Sequence, residues 1–190
     1  VYWHHTVRAA TSMLQRMVFE VSREVELKQL FHSTDDQCCL FFEAASQDKP
    51  WRNIFEGLFG IRRSIYKRLG QFDAHDPDGI HQAIARKSFD WLVDCGTRLA
   101  TRISDSTGVP VEPHQILIDA PPVGLEVQFQ VDVLSRETGE FRKLGDVSPM
   151  TKALARFQFD DLVKRVRVFV DPKLEFRNPF NLAELLLEVI

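Results

Sequence analysis

The sequence predicts an α+β chain in which amphipathic helices lead into an alternation of strands and helices. Three observations predict it. Apolar residues recur at helical spacing over residues 7–21 and again over 80–103. Residues 127–133 alternate apolar and polar at period two. Two short apolar segments, Gln115-Ile116-Leu117-Ile118-Asp119 and Arg165-Val166-Arg167-Val168-Phe169-Val170, are each followed by a proline stop. With 190 residues, 44% of them hydrophobic, the chain can bury one large core or two small ones.

In chain order, Val7, Ala10, Leu14, Met17, Val18 and Val21 share one helical face, with Arg8, Gln15, Arg16 and Glu20 on the other. Thr34-Asp35-Asp36-Gln37 has the spacing of a capping box, in which a Thr hydroxyl and a Gln side chain satisfy orphan amides reciprocally. A second, buried helix is expected from there to about Gln47, carrying Cys38, Cys39, Leu40, Phe41 and Phe42. Pro50 suits the first turn of a short helix with Trp51, Ile54, Phe55 and Leu58. Ile61 to Leu69, bounded by Gly60 and Gly70, reads as a strand with Ile61, Ile65 and Leu69 on one side. A long helix from Gly79 to Ser106 follows, striped by Ile80, Ile84, Trp91, Leu92, Cys95, Leu99 and Ile103 and stopped by Gly108 and Pro110.

Strands are then expected at 115–119 and 127–134, with a turn at 135–140 and a short return strand at 141–144. Ser148 or Thr151 can cap a helix through Leu154, Phe157 and Leu162, and the last strand is 165–170. Strand, helix, strand, strand, helix, strand is the ferredoxin-like βαββαβ order. The sequence therefore divides into a helical unit, residues 1–58, and a ferredoxin-like subdomain, residues 59–190.

Composition narrows the function classes. The formal net charge is −3 and Lys and Arg are scattered, so no basic field exists of the kind that drives counterion release from a nucleic acid polymer. Cys38, Cys39 and Cys95 form neither a disulfide framework nor a metal-ligand spacing, which fits a reducing, cytoplasmic setting. No apolar run approaches the roughly 18 residues a membrane span needs. The chain opens on Val1-Tyr2-Trp3-His4-His5 without an initiator Met, and is expected to be a piece of a longer protein.

Chemistry-bearing residues are few. Asp73-Ala74-His75-Asp76-Pro77-Asp78-Gly79, with His81 nearby, contains a His-Asp dyad of metal-ligand type. Its residues crowd a single proline-containing loop, and the alternative is a solvated loop in which Asp76 or Asp78 caps the long helix. No nucleophile motif or phosphate-binding glycine loop is visible, so no catalytic residue is expected. On a strand, Arg63, Ile65 and Lys67 would share a face, two cations flanking an apolar residue suited to a base or sugar; the alternative is a charged edge strand. His4 and His5, at a helix start, suit a cap or surface role.

Two regions carry a family likeness: Tyr2 to Val18, with its Tyr-aromatic-His-His-x-Val-Arg-Ala-Ala opening, and 115–119, 131–134, 146–149 and 163–172 taken together. In this ordering the chain resembles the C-terminal portion of HD-domain phosphohydrolases of the dNTP (dGTP) triphosphohydrolase type. The resemblance implies that residues 1–58 are the last helices of an HD domain. It also implies that the metal ligands, an isolated His, a His-Asp pair and a later Asp, lie in a preceding core that binds a divalent metal, leaving this piece inactive alone. The partners implied are the rest of the HD domain, further copies of the chain, and activating nucleotides. By matching position, Trp3, His5, Arg63 and Lys67 would line a regulatory nucleotide site, although Thr6 stands where nucleotide-regulated relatives carry a basic residue. The remaining alternative is an oligomerisation or interaction module without a hydrolase partner.

Overall fold

The computed structural model describes residues 4–120, 131–135, 138–153 and 164–190. Helix α1, His5–Ser22, is the first amphipathic segment, but its buried residues are Ala9, Ser12, Met13, Arg16, Met17 and Val21. Val7 and Leu14, expected inside, are about 40% exposed. The stripe is rotated because this helix rests on a sheet through small and unbranched residues, and Arg8 and Arg16, expected in solvent, reach from it to polar groups. Arg16 is 5% exposed, with Nε donating to Glu20 Oε1 at 2.7 Å.

A 3-10 turn, Leu27–His32, leads to α2, Asp35–Ser46, whose capping box forms as expected. The Thr34 hydroxyl accepts the Gln37 amide at 3.4 Å, and Gln37 Oε1 accepts the Thr34 amide at 2.9 Å. This helix is not the buried one expected: Phe42 and Ser46 are buried, while Leu40 is exposed. In α3, Arg52–Phe59, Ile54 and Phe55 are buried, as is Trp51 just before it.

Strand β1 is Lys67–Phe72 rather than 61–69. The earlier residues fold back on the end of α3, where the Ser64 amide donates to the Gly57 carbonyl at 3.0 Å, and Ile61 is fully exposed. The long helix is two helices, α4, Ile80–Ile84, and α5, Phe89–Thr107. Between them Arg86 adopts φ 70°, and the Ser88 hydroxyl accepts the Trp91 amide at 3.3 Å, starting α5 anew. Helix α5 ends at Gly108, whose φ of 72° suits a residue without Cβ.

Strand β2, Ile116–Asp119, follows a 3-10 turn at Pro113–Gln115. Strands β3, Asp132–Leu134, and β4, Phe141–Lys143, pair with each other, followed by α6, Leu144–Val147, and α7, Pro149–Ala153. The Ser148 hydroxyl accepts the Thr151 amide at 3.3 Å. The helix expected through Leu154, Phe157 and Leu162 lies outside the described residues beyond α7. Strand β5, Val166–Val170, and helix α8, Leu182–Leu187, complete the described elements.

The sheet order is β1-β5-β2, with β5 antiparallel to both neighbours. Strands β1 and β2 are therefore parallel, joined through α4 and α5 around an inserted antiparallel strand, which is a split β-α-β unit. The strand expected at 127–134 falls largely outside the described residues; its described part, β3, belongs to a two-stranded ribbon separate from this sheet. The mixed helix-and-sheet class expected from the sequence is thus what the chain forms.

Both faces of the sheet are covered. Phe72, Ile116, Ile118, Val166, Val168 and Val170 pack with residues of α4, α5 and α8. Tyr66, Leu117 and Phe169 pack on the opposite side with residues of α1, α2 and α3. Central strand β5 is buried along its whole length, as a strand covered on both faces must be, and the alternation of Val166-Arg167-Val168-Phe169-Val170 divides its side chains between the layers. Glycine permits one of these contacts: a Cβ on Gly96 of α5 would stand 3.3 Å from the Ile116 carbonyl oxygen.

Candidate functional site

The chemistry expected near the start of the chain centres on the first turn of α1. His4 caps it, its Nδ1 accepting the Thr6 amide at 3.4 Å, and its ring lies 4.3 Å from that of His5. His5 is exposed. Desolvation, and then the charges of His4, Arg68 and Arg167, hold it below the usual histidine pKa. The charges that bear on His5 thus come from the N-cap of α1, from β1 and from β5.

One turn further, Arg8 crosses to the sheet. Its Nε donates to Asp119 Oδ2 at 2.9 Å and its Nη2 donates to Asp119 Oδ1. Asp119 ends β2 directly opposite Arg167 of β5, whose Nη1 lies 3.9 Å from Asp119 Oδ2. Asp119 and Arg167 are 3% and 4% exposed. Burial pushes the Asp119 carboxyl up, and the hydrogen bonds and charge of Arg8, with the charge of Arg167, pull it back. Burial lowers Arg167, Asp119 counters that, and Arg8, Arg165 and Arg68 add to the lowering. Two guanidiniums are therefore held close through one carboxylate.

The expected site residues are distributed unevenly. Trp3 lies outside the described residues. Lys67 opens β1 and is exposed. Arg63 is exposed in the segment before β1, so Arg63 and Lys67 do not flank Ile65 on one strand face; Ile65 packs into the α1–α3 core instead. The β1 cation that bears on His5 is Arg68. Reading the sequence missed the roles of Arg8, Asp119 and Arg167. The signal was present: Asp119 and Arg167 are charges at inward, period-two positions of otherwise apolar strands, a costly placement unless they are paired.

A second polar cluster ties α3 to the sheet. Asn53 Nδ2 donates to the Tyr66 hydroxyl at 3.0 Å and to Asp171 Oδ2 at 2.6 Å, and the Tyr66 hydroxyl donates to the His114 carbonyl at 3.1 Å. Burial, reinforced by Asp171, keeps Tyr66 far above the usual phenol range, so it serves as a neutral hydrogen-bonding group. Burial, and then Arg16, lowers His114.

The loop before α4 turns its carboxylates onto its own backbone. Asp76 Oδ2 accepts the Asp73 amide at 2.6 Å, Asp73 Oδ1 accepts the His75 amide at 2.9 Å, and Asp78 Oδ1 accepts the Ile80 amide at 3.0 Å as α4 starts. His75 is exposed and His81 faces away to the Lys164 carbonyl, 3.2 Å from Nε2. Among the described residues no three His, Cys, Asp or Glu side chains are grouped as a metal site. Burial raises Cys39 and Cys95, disfavouring thiolate. Among the described residues no helix is long and apolar enough to cross a membrane.

Comparison with known proteins adds one positive finding: a family model described as HD associated region matches residues 1–180. No curated protein and no solved structure matches the chain.

Proposed function

The chain belongs to the family of HD associated regions, and from that premise we propose that it is the structural and regulatory companion of a metal-dependent HD phosphohydrolase of the dNTP triphosphohydrolase type. Association with an HD-domain protein comes with the family; the enzyme type rests on the resemblance of the opening helix and of the later strand segments. In this reading the HD partner holds the divalent metal that activates water and neutralises phosphate charge. Residues 1–58 complete its helical domain, and residues 59–190 act as a ferredoxin-like unit that supports self-association.

The regulatory part is supported by Arg8 and Arg167, which share the Asp119 carboxylate one turn beyond the N-terminus of an 18-residue helix, with the charges of Arg68 and Arg167 bearing on His5 in its first turn. Nucleoside triphosphates are polyanions, which cationic side chains and the positive end of a helix both favour. Arg63, exposed in the chain leading into β1, and Lys67, exposed at its start, enter this reading from the resemblance alone.

Calorimetric titration with dGTP, GTP and dATP tests this. Binding is expected, weakened in Arg63→Ala and in Lys67→Ala. A folded chain that takes up none of the three nucleotides overturns the regulatory part and leaves assembly as the role. Stoichiometric divalent metal in the purified chain, lost in Asp76→Ala, would instead support a separate site at His75 and Asp76.

A further inference from the structure

We propose that Asp119 is a positioning residue: its buried carboxylate fixes the first turns of α1 against the ends of β2 and β5, and so sets where His5 stands relative to Arg68. The inference rests on the nucleotide reading only for one of its three measurements.

A continuous set of contacts leads from Asp119 in both directions. Toward the helix, Arg8 clamps the carboxylate with two nitrogens, a geometry that fixes angle as well as distance. The Arg8 amide in turn donates to the His4 carbonyl at 3.0 Å, closing the turn that holds His5. Toward the sheet, Asp119 is opposite Arg167, Arg167 is opposite Gln71 of β1, and Gln71 Oε1 accepts Arg68 Nη1 at 3.0 Å. The carboxylate thus ties the helix carrying His5 to central strand β5, whose other neighbour is the strand carrying Arg68. Removing its charge would take from the Arg8 and Arg167 guanidiniums the carboxylate they share in a poorly solvated place, weakening the tie between the helix end and the sheet. Arg8 belongs to a helix end and Arg167 to the central strand, so the helix end is the part that moves.

The test follows the His5 imidazole by NMR titration, assigned with His5→Gln, in Asp119→Asn, Asp119→Glu and Arg8→Met. Hydrogen exchange of the Arg8 amide is measured alongside that of α5 amides. If Asp119 positions the helix, His5 rises toward the ordinary value of 6.5 in both Asp119→Asn and Arg8→Met, as the turn leaves Arg68 and Arg167. The Arg8 amide then exchanges faster while α5 amides do not, dGTP binding weakens about tenfold, and Asp119→Glu restores part of each effect. A simple charge effect would move His5 down in Asp119→Asn and up in Arg8→Met, and that pattern overturns the proposal. Unchanged titration with uniformly faster exchange also overturns it, marking a plain stabilising ion pair. Should Asp119→Asn fail to fold, the backbone amide of residue 8 in Arg8→Met carries the test, since charge alone also raises His5 there: faster exchange at that amide with α5 unchanged supports the proposal, and unchanged exchange at that amide overturns it. If the wild-type chain binds no nucleotide, the regulatory reading fails while the His5 titration still decides this one.

Discussion

At the scale of single residues, the chain is held by side chains that join layers. Phe169 is fully buried on the α1–α3 side of central strand β5, and Phe169→Ala should cost about 3–5 kcal/mol by urea denaturation, the range for losing a buried aromatic and leaving a cavity. His114 gives the chain a pH dependence. Burial and Arg16 lower its pKa in the folded state, so above its unfolded value both states are neutral and pH has no effect through it. As pH falls below the unfolded value of 6.5, the unfolded chain takes up the proton first, and stability declines until the folded pKa is passed. Denaturation midpoints measured from pH 7.5 to pH 5 should fall in the wild type, and less steeply in His114→Gln.

At the scale of elements, starts and stops are set by local hydrogen bonds, and close approaches by glycine. Thr34 caps α2 in a reciprocal box, so Thr34→Ala should destabilise by about 1 kcal/mol, read as a lower urea midpoint with unchanged slope. Gly57, inside α3, is a case where two effects compete. Alanine would gain up to about 1 kcal/mol of helix propensity. Its Cβ, however, would stand 2.7 Å from both the Ser64 carbonyl oxygen and Met13 Cε. Methionine can yield but backbone cannot, so overpacking of about 1–3 kcal/mol should win and Gly57→Ala should lower the thermal midpoint. The same fold-back of 60–64 onto α3 explains why Ile61 to Ile65 is no strand: period-two apolar spacing is visible in sequence, while the Ser64–Gly57 bond that competes with it is not.

At the scale of the whole molecule, a three-layer arrangement of helices, split β-α-β sheet and helices is accompanied by a ribbon with several exposed apolar side chains. Leu134 and Phe141 sit opposite each other in the β3–β4 pair, 56% and 71% exposed, with Val131, Val147 and Met150 exposed nearby. Exposed apolar clusters of this kind favour association. Sedimentation of the purified chain at micromolar concentration should show self-association, reduced when Leu134→Ser and Phe141→Ser are combined. A monomer at all concentrations would contradict the assembly role.

The sequence by itself determined the α+β class, the capping box of α2, the stripe of α5 and the short strands at 116–119 and 166–170, because each depends on neighbours a few residues apart. It placed His5 at a helix start and Lys67 on a strand for the same reason. Tertiary structure alone decided which face of α1 is buried, where β1 begins, how the long helix divides at Arg86, and which cations meet. Arg8 and Asp119 are 111 residues apart and become partners only when α1 lies across the sheet. Helical periodicity marks a face as amphipathic but cannot tell an arginine in water from one that crosses to a buried carboxylate, since that depends on what the opposite layer offers.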